Sequence, residues 1–113
     1  MTVSIQNMAQ TWLDANTYNA ISMTVSSLGY APNVHSKLIN FNFNGTSTFS
    51  VTANGVICGP VTTVGNLPSP SVVGAGARFM VTDASNNRFS YVVSGGGANT
   101  VPVYSDGTNW RAG

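Results

Sequence analysis

The feature that most constrains this chain is a run of strict alternation in its middle. Ile39, Phe41 and Phe43 alternate with Asn40, Asn42 and Asn44, and Phe49, Val51 and Ala53 then alternate with Ser50, Thr52 and Asn54. Successive strand side chains point to opposite faces, so a period of two predicts two half-buried strands, whereas a helix would repeat its apolar residues every three or four positions. Between the two runs sits Asn44-Gly45, a pair that tolerates the positive φ values a two-residue hairpin turn requires. A β-hairpin over residues 38–53 is the prediction. Asn54-Gly55 repeats the signal and predicts a further turn into Val56, Ile57 and Cys58.

The same period recurs elsewhere. Ile21, Met23 and Val25 alternate with Ser22, Thr24 and Ser26, predicting a strand that ends near Gly29, while the opening stretch through Trp12 and Tyr18 is less regular. Near the other end, Ala77, Phe79 and Val81 point one way, residues 83–87 form a polar turn, and Phe89, Tyr91 and Val93 return as the expected partner strand. Gly95-Gly96-Gly97 forces a bend, residues 101–104 form another strand, and Asp106-Gly107 turns into Thr108, Asn109 and Trp110. Pro102 cannot donate a ladder hydrogen bond, which predicts a sheet edge or a bulge at that strand. Residues 64–76 hold Gly65, Pro68, Pro70, Gly74 and Gly76, a breaker density that reads as a linker. The expected organisation is an all-β chain of antiparallel hairpins in two small modules, 1–63 and 77–113, joined by the linker 64–76.

Composition narrows the function classes. Charged residues make up 6% of the 113, against about 25% in an average soluble protein. Asn, Ser and Thr, about a third of the chain, replace them and favour turns and strands over helices. A net charge of +1 from scattered Lys37, Arg78, Arg88 and Arg111 gives no field toward polyanions, so nucleic acid is not an expected partner. Cys58 is the single cysteine, which excludes an intrachain disulfide and reads as a small buried apolar residue. No run approaches the roughly 18 apolar residues of a membrane span, and no secretory signal is present, so neither membrane nor export is expected.

Two stretches resemble a known group. The residues 76–84, GARFMVTDA, and 95–111, GGGANTVPVYSDGTNWR, closely resemble a C-terminal module of bacteriophage tail-fibre and related virion structural proteins. Thr11-Trp12, Tyr18-Asn19-Ala20-Ile21 and residues 44–51 with Asn54-Gly55 are similar to the segment that precedes that module. The resemblance spans residues 10–111 and is most specific over 104–113. It implies a virion structural protein, homotrimeric, made in a bacterial cytoplasm and displayed on the particle, with capsid or tail proteins as partners. Such modules end long fibres; this chain opens at Met1 without a shaft, so the expectation covers a fibre-like tip and a compact capsid decoration alike. The rival function is a receptor-binding module for host surface glycan.

Site expectations follow the residue inventory. One His, one Cys and three Asp offer no pair or triad arranged for catalysis, and no cofactor or metal site is expected; His35 has no neighbouring ligand and reads as an ordinary surface or interface histidine. Asp83 and Asp106 sit beside turns, where carboxylates accept local backbone hydrogen bonds. Modules of about 55 residues bury only about 60% of their unfolded surface, so sharing apolar faces between copies is an efficient remedy. Trp110, Tyr104, Pro102, Phe41, Phe43 and Phe49 are the candidates for a subunit interface. No residue is singled out for glycan contact.

Overall fold

The computed structural model describes residues 21, 22, 24–26 and 35–113 and is all-β, with a single four-residue α-helix among them. The chain divides into two compact units, Met1–Tyr30 and Ala31–Gly113. In the first, Ile21 and Val25 are exposed and the described residues carry no strand, unlike the strand expected there; Trp12, Tyr18 and the rest of that expectation lie outside the described residues.

The predicted hairpin forms. Strands β1 (Lys37–Phe43) and β2 (Thr46–Thr52) pair antiparallel around Asn44 and Gly45, whose φ values of 48° and 80° give the twist that flanking strands need. Phe41 faces Phe49 and Ile39 faces Val51, so their side chains share one face. The register then steps from Phe41 opposite Phe49 to Asn42 opposite Ser47. Thr48 is the extra residue of this bulge, and its hydroxyl donates to the Phe41 carbonyl at 3.0 Å. The second turn forms as well: the Gly55 N–H reaches the Thr52 carbonyl, and β3 (Ile57–Cys58) adds to β2 with Ile57 opposite Val51. The sheet order is β1-β2-β3.

A second sheet of order β4-β5-β6-β7 follows, from β4 (Val61–Thr62), β5 (Arg78–Ala84), β6 (Asn99–Ser105) and β7 (Trp110–Ala112). Here β4 and β5 are parallel, the one departure from the expected antiparallel pattern, and parallel neighbours require a crossover connection. The stretch expected as a linker provides it. Residues 64–76 hold a 3-10 turn (Val64–Asn66) and α1 (Pro70–Val73), with Pro70 at the first helical position where its missing N–H costs nothing. Four hydrogen bonds tie this crossover to the sheet: the Val64 N–H donates to Asp83 Oδ1 at 2.7 Å, Trp110 Nε1–H donates to the Pro68 carbonyl at 2.7 Å, the Gly76 N–H donates to the Ser105 carbonyl at 2.8 Å, and the Ser105 hydroxyl donates to the Pro70 carbonyl at 3.4 Å. A Gly/Pro-rich composition marks irregular backbone; whether that backbone is loose depends on partners far away in sequence.

The core lies under this second sheet. Val81, Ala84, Val101, Val103, Trp110 and Ala112 are buried, with Val64, Leu67, Ala77, Phe79 and Val93 packed around them. Each fully buried valine contributes about 1.5–3 kcal/mol. The partner of β5 is β6, with Val81 opposite Val101 and Phe79 opposite Val103, and not the 89–93 segment expected to return beside it. Residues 90–93 run instead along the outer side of β7, through Ser90 N–H to Ala112 O, Ala112 N–H to Tyr91 O and Val93 N–H to Trp110 O. Alternation within a segment specifies a face but not a neighbour.

Of the edge or bulge expected at the Pro102 strand, the edge is not found, because β6 lies between β5 and β7, while the β5–β6 pairing does carry a register shift between Val81 and Ala84, opposite Val101 and Asn99. The Pro102 carbonyl accepts the Gly113 N–H at 2.9 Å. A residue's nitrogen and carbonyl point to the same side of a strand, so the nitrogen that lacks a hydrogen faces Gly113, just past β7, and interrupts no pairing inside that strand.

Gly97 permits the close passage behind β5. A side-chain carbon there would sit 2.2 Å from the Ala84 carbonyl oxygen and 2.6 Å from Ser85 Cα, both main-chain atoms that cannot swing away. Gly97→Ala is therefore expected to break the Gly97 N–H to Asp83 O hydrogen bond and destabilise the unit by about 1–3 kcal/mol. Urea denaturation measures it; an unchanged midpoint would mean the passage is not as tight as the contacts require.

Candidate functional site

The six interface candidates separate into two groups. Trp110 is only 6% exposed and meets Phe79 edge-to-face at 5.5 Å, so its ring serves the core of its own chain and leaves little surface for another subunit. Tyr104 is half-buried, with its ring edge near Gly113, and Pro102 is exposed opposite Met80. Phe41, Phe43 and Phe49 are the group that remains open. Phe41 and Phe43 are 61% and 71% exposed, and Phe41 stacks on Phe49 with ring centroids 6.0 Å apart.

Register brings these phenylalanines together with Ile39, Val51 and Ile57 on one face of the three-stranded sheet. The other face is polar and bonded within itself. Lys37 Nζ donates to Asn40 Oδ1 at 3.3 Å and to Ser47 Oγ at 3.2 Å, and the Ser47 hydroxyl donates to the same Asn40 oxygen at 2.6 Å. The sheet is thus amphipathic, and its apolar face is not covered by the residues described. An exposed patch of this kind, rimmed by polar groups, marks an interaction surface.

A second aromatic group lies at the outer side of β7. Phe89 and Tyr91 are 78% and 52% exposed, flanking Ser90, a non-glycine residue at φ 66°. The Arg88 guanidinium lies over the Tyr91 ring, 5.5 Å from its centroid, and Arg111 donates to the Ser90 carbonyl at 2.9 Å. Sequence alternation placed Phe89 and Tyr91 in a half-buried strand; the crossed pairing left both rings outside.

Within the 104–113 run, one carboxylate gathers the turn. Asp106 Oδ1 accepts the Thr108 and Asn109 N–H groups at 2.9 and 2.6 Å, and Oδ2 takes the Arg111 Nε–H in an ion pair. The Asn109 N–H, then Arg111, then the Thr108 N–H favour the charged form and hold the Asp106 carboxyl at about 2, below its ordinary 3.8. Because the folded value is depressed, its contribution is complete above about pH 4 and is lost as pH falls through about 2. Arg111 Nε–H resonances followed by NMR during acid titration should move with that midpoint, and Asp106→Asn should abolish the transition. Asp83 differs from the local turn expected of it, since its backbone donor, Val64, comes from the crossover.

Cys58, expected to be buried, is exposed, because it sits on the two-residue edge strand β3. His35 is exposed just before β1. No protein family, no curated protein and no solved structure matches this chain.

Proposed function

We propose that this chain is a structural protein of a tailed-bacteriophage particle, a homotrimeric fibre-like or decoration component whose copies meet over the apolar face of β1–β3. The observation that carries this reading is the uncovered row of Phe41, Phe43 and Phe49 in a chain with 6% charge. Burying what remains open of Phe41 and Phe43 contributes on the order of 1–2 kcal/mol for each ring. Few ion pairs have to be desolvated when such surfaces dock. Symmetric closure also covers the edge strand β1, which otherwise invites indiscriminate pairing. The copy number of three comes from the resemblance of residues 76–111 to virion modules.

Binding to host surface glycan is the second reading, supported by the exposed Phe89 and Tyr91 with Arg88 beside them, a group suited to stacking on sugar faces. Two measurements separate the readings. Protein that co-sediments with capsids or tails lacking it, and binds neither host cells nor a glycan array, supports the structural role; binding to cells or glycan without particle association removes it. Electron microscopy of the particle with and without the chain then places it on head or tail.

A further inference from the structure

Where the two sheets of the second unit meet, the chain passes from β3 to β4 through Gly59-Pro60 and leaves an open groove of about 540 Å³. Its wall is apolar, built by Phe49, Ile57, Val61 and Met80, with Cys58 and Arg78 bordering it. That volume lies within the roughly 300–1,000 Å³ of small-molecule sites. Ile57 and Val61 are well exposed along it.

Arg78 is the decisive residue. Lys37 is hydrogen-bonded to Asn40 and Ser47, Arg88 rests on Tyr91, and Arg111 pairs with Asp106. Among the described cations, Arg78 alone has no side-chain hydrogen bond, ion pair or ring contact, and it stands exposed beside an apolar groove. The chain's acids do not supply a counterpart: Asp83 is bonded to the crossover at Val64, Asp106 is engaged by Arg111, and Asp14 lies outside the described residues. A second copy would therefore bring apolar side chains to this groove but no unengaged side-chain carboxylate among its described residues.

We propose that the groove binds a small amphipathic carboxylate from solution, its aliphatic or aromatic body lying along Ile57, Val61 and Met80 and its carboxylate forking onto the Arg78 guanidinium. The planar, two-pronged geometry of arginine suits a carboxylate better than a neutral or cationic head group. The groove shares Phe49 and Ile57 with the face through which copies are proposed to meet, so a ligand here and a neighbouring copy would compete for the same two side chains.

Cys58 is the only cysteine of these 113 residues, is exposed and borders the groove, so its alkylation by iodoacetamide reports occupancy in the intact chain. Octanoate, octanol and octylamine are compared at equal concentrations below micelle formation. Octanoate is expected to slow alkylation most and octylamine least. Arg78→Gln should weaken protection by octanoate about five-fold, as loss of a solvent-facing ion pair does, and leave octanol unchanged. Arg78→Lys should retain part of the preference, which keeps the test valid if the glutamine variant folds poorly by circular dichroism. Absence of protection, equal protection by all three compounds, or an octanoate effect that survives Arg78→Gln in folded protein would each overturn the proposal.

Discussion

Trp110→Ala is expected to lower the melting temperature of the second unit by at least about 15 °C, the largest effect of any single substitution considered. Trp110 is buried where β7 meets the core, edge-on to Phe79 at 5.5 Å, and its Nε1–H holds the Pro68 carbonyl at 2.7 Å. Truncation removes the ring contacts and leaves a cavity, which together cost about 3–5 kcal/mol. Losing the hydrogen bond that holds the crossover adds about 1 kcal/mol. Typical total stabilities are about 5–15 kcal/mol, so one substitution removes a large share. Trp110→Phe keeps most of the volume and loses the indole donor, and should fall between the alanine variant and the parent. Thermal melts followed by circular dichroism decide the matter. A melt within two or three degrees of the parent would show that the 104–113 run does not anchor this core.

Replacing Phe41 and Phe43 together by Asn should act on assembly and not on the fold of the single chain. Both rings are mostly exposed and contribute little to the chain's own core, which lies under the other sheet. Asparagine already occupies the intervening positions 40, 42 and 44, so the strand tolerates it chemically. If the apolar face is the contact between copies, losing two rings from each copy should raise the dissociation constant at least about 100-fold, since about 1.4 kcal/mol corresponds to each factor of ten. Size-exclusion chromatography with light scattering at micromolar concentration should report a trimer for the parent and a monomer for the double variant, with unchanged circular dichroism. Val72→Asn is the control, because Val72 is 81% exposed and belongs to α1 and not to the β1–β3 sheet. A monomeric parent, or a trimer that survives the double substitution, removes the proposed contact surface.

Two outcomes at neighbouring positions show what alternation can and cannot reveal. At 37–58 the pattern carried turn chemistry with it: Asn44-Gly45 and Asn54-Gly55 both bring strands adjacent in sequence together, so the hairpin and its extension were legible. At 77–93 the period of two was equally clear, yet β5 paired with β6 and left Phe89 and Tyr91 outside. The turn at 83–87 offers Asn86-Asn87 but no glycine, and neither asparagine takes positive φ, whereas Gly97 lets the chain pass against the Ala84 carbonyl and continue to β6. The interface candidates divide along the same line. Phe41, Phe43 and Phe49 share a face because they belong to one hairpin, while the fate of Trp110 depended on a crossover 42 residues away.

Arg78 shows a further limit. In the sequence it is one of four scattered cations, with nothing to separate it from Arg88 or Arg111. Its significance emerges only after every other described cation has found a partner in three dimensions. By itself, then, the sequence determined the all-β class, the central hairpin with its aromatic face, and the Asp106-Gly107 turn, because each depends on side-chain period or turn chemistry within about ten residues. The parallel pairing of β4 with β5, the ordered crossover at 64–76, the burial of Trp110, and the groove beside Arg78 were decided by tertiary structure alone. Each arises from contacts between segments that local pattern cannot pair, and only the competition among all strands for one core selects them.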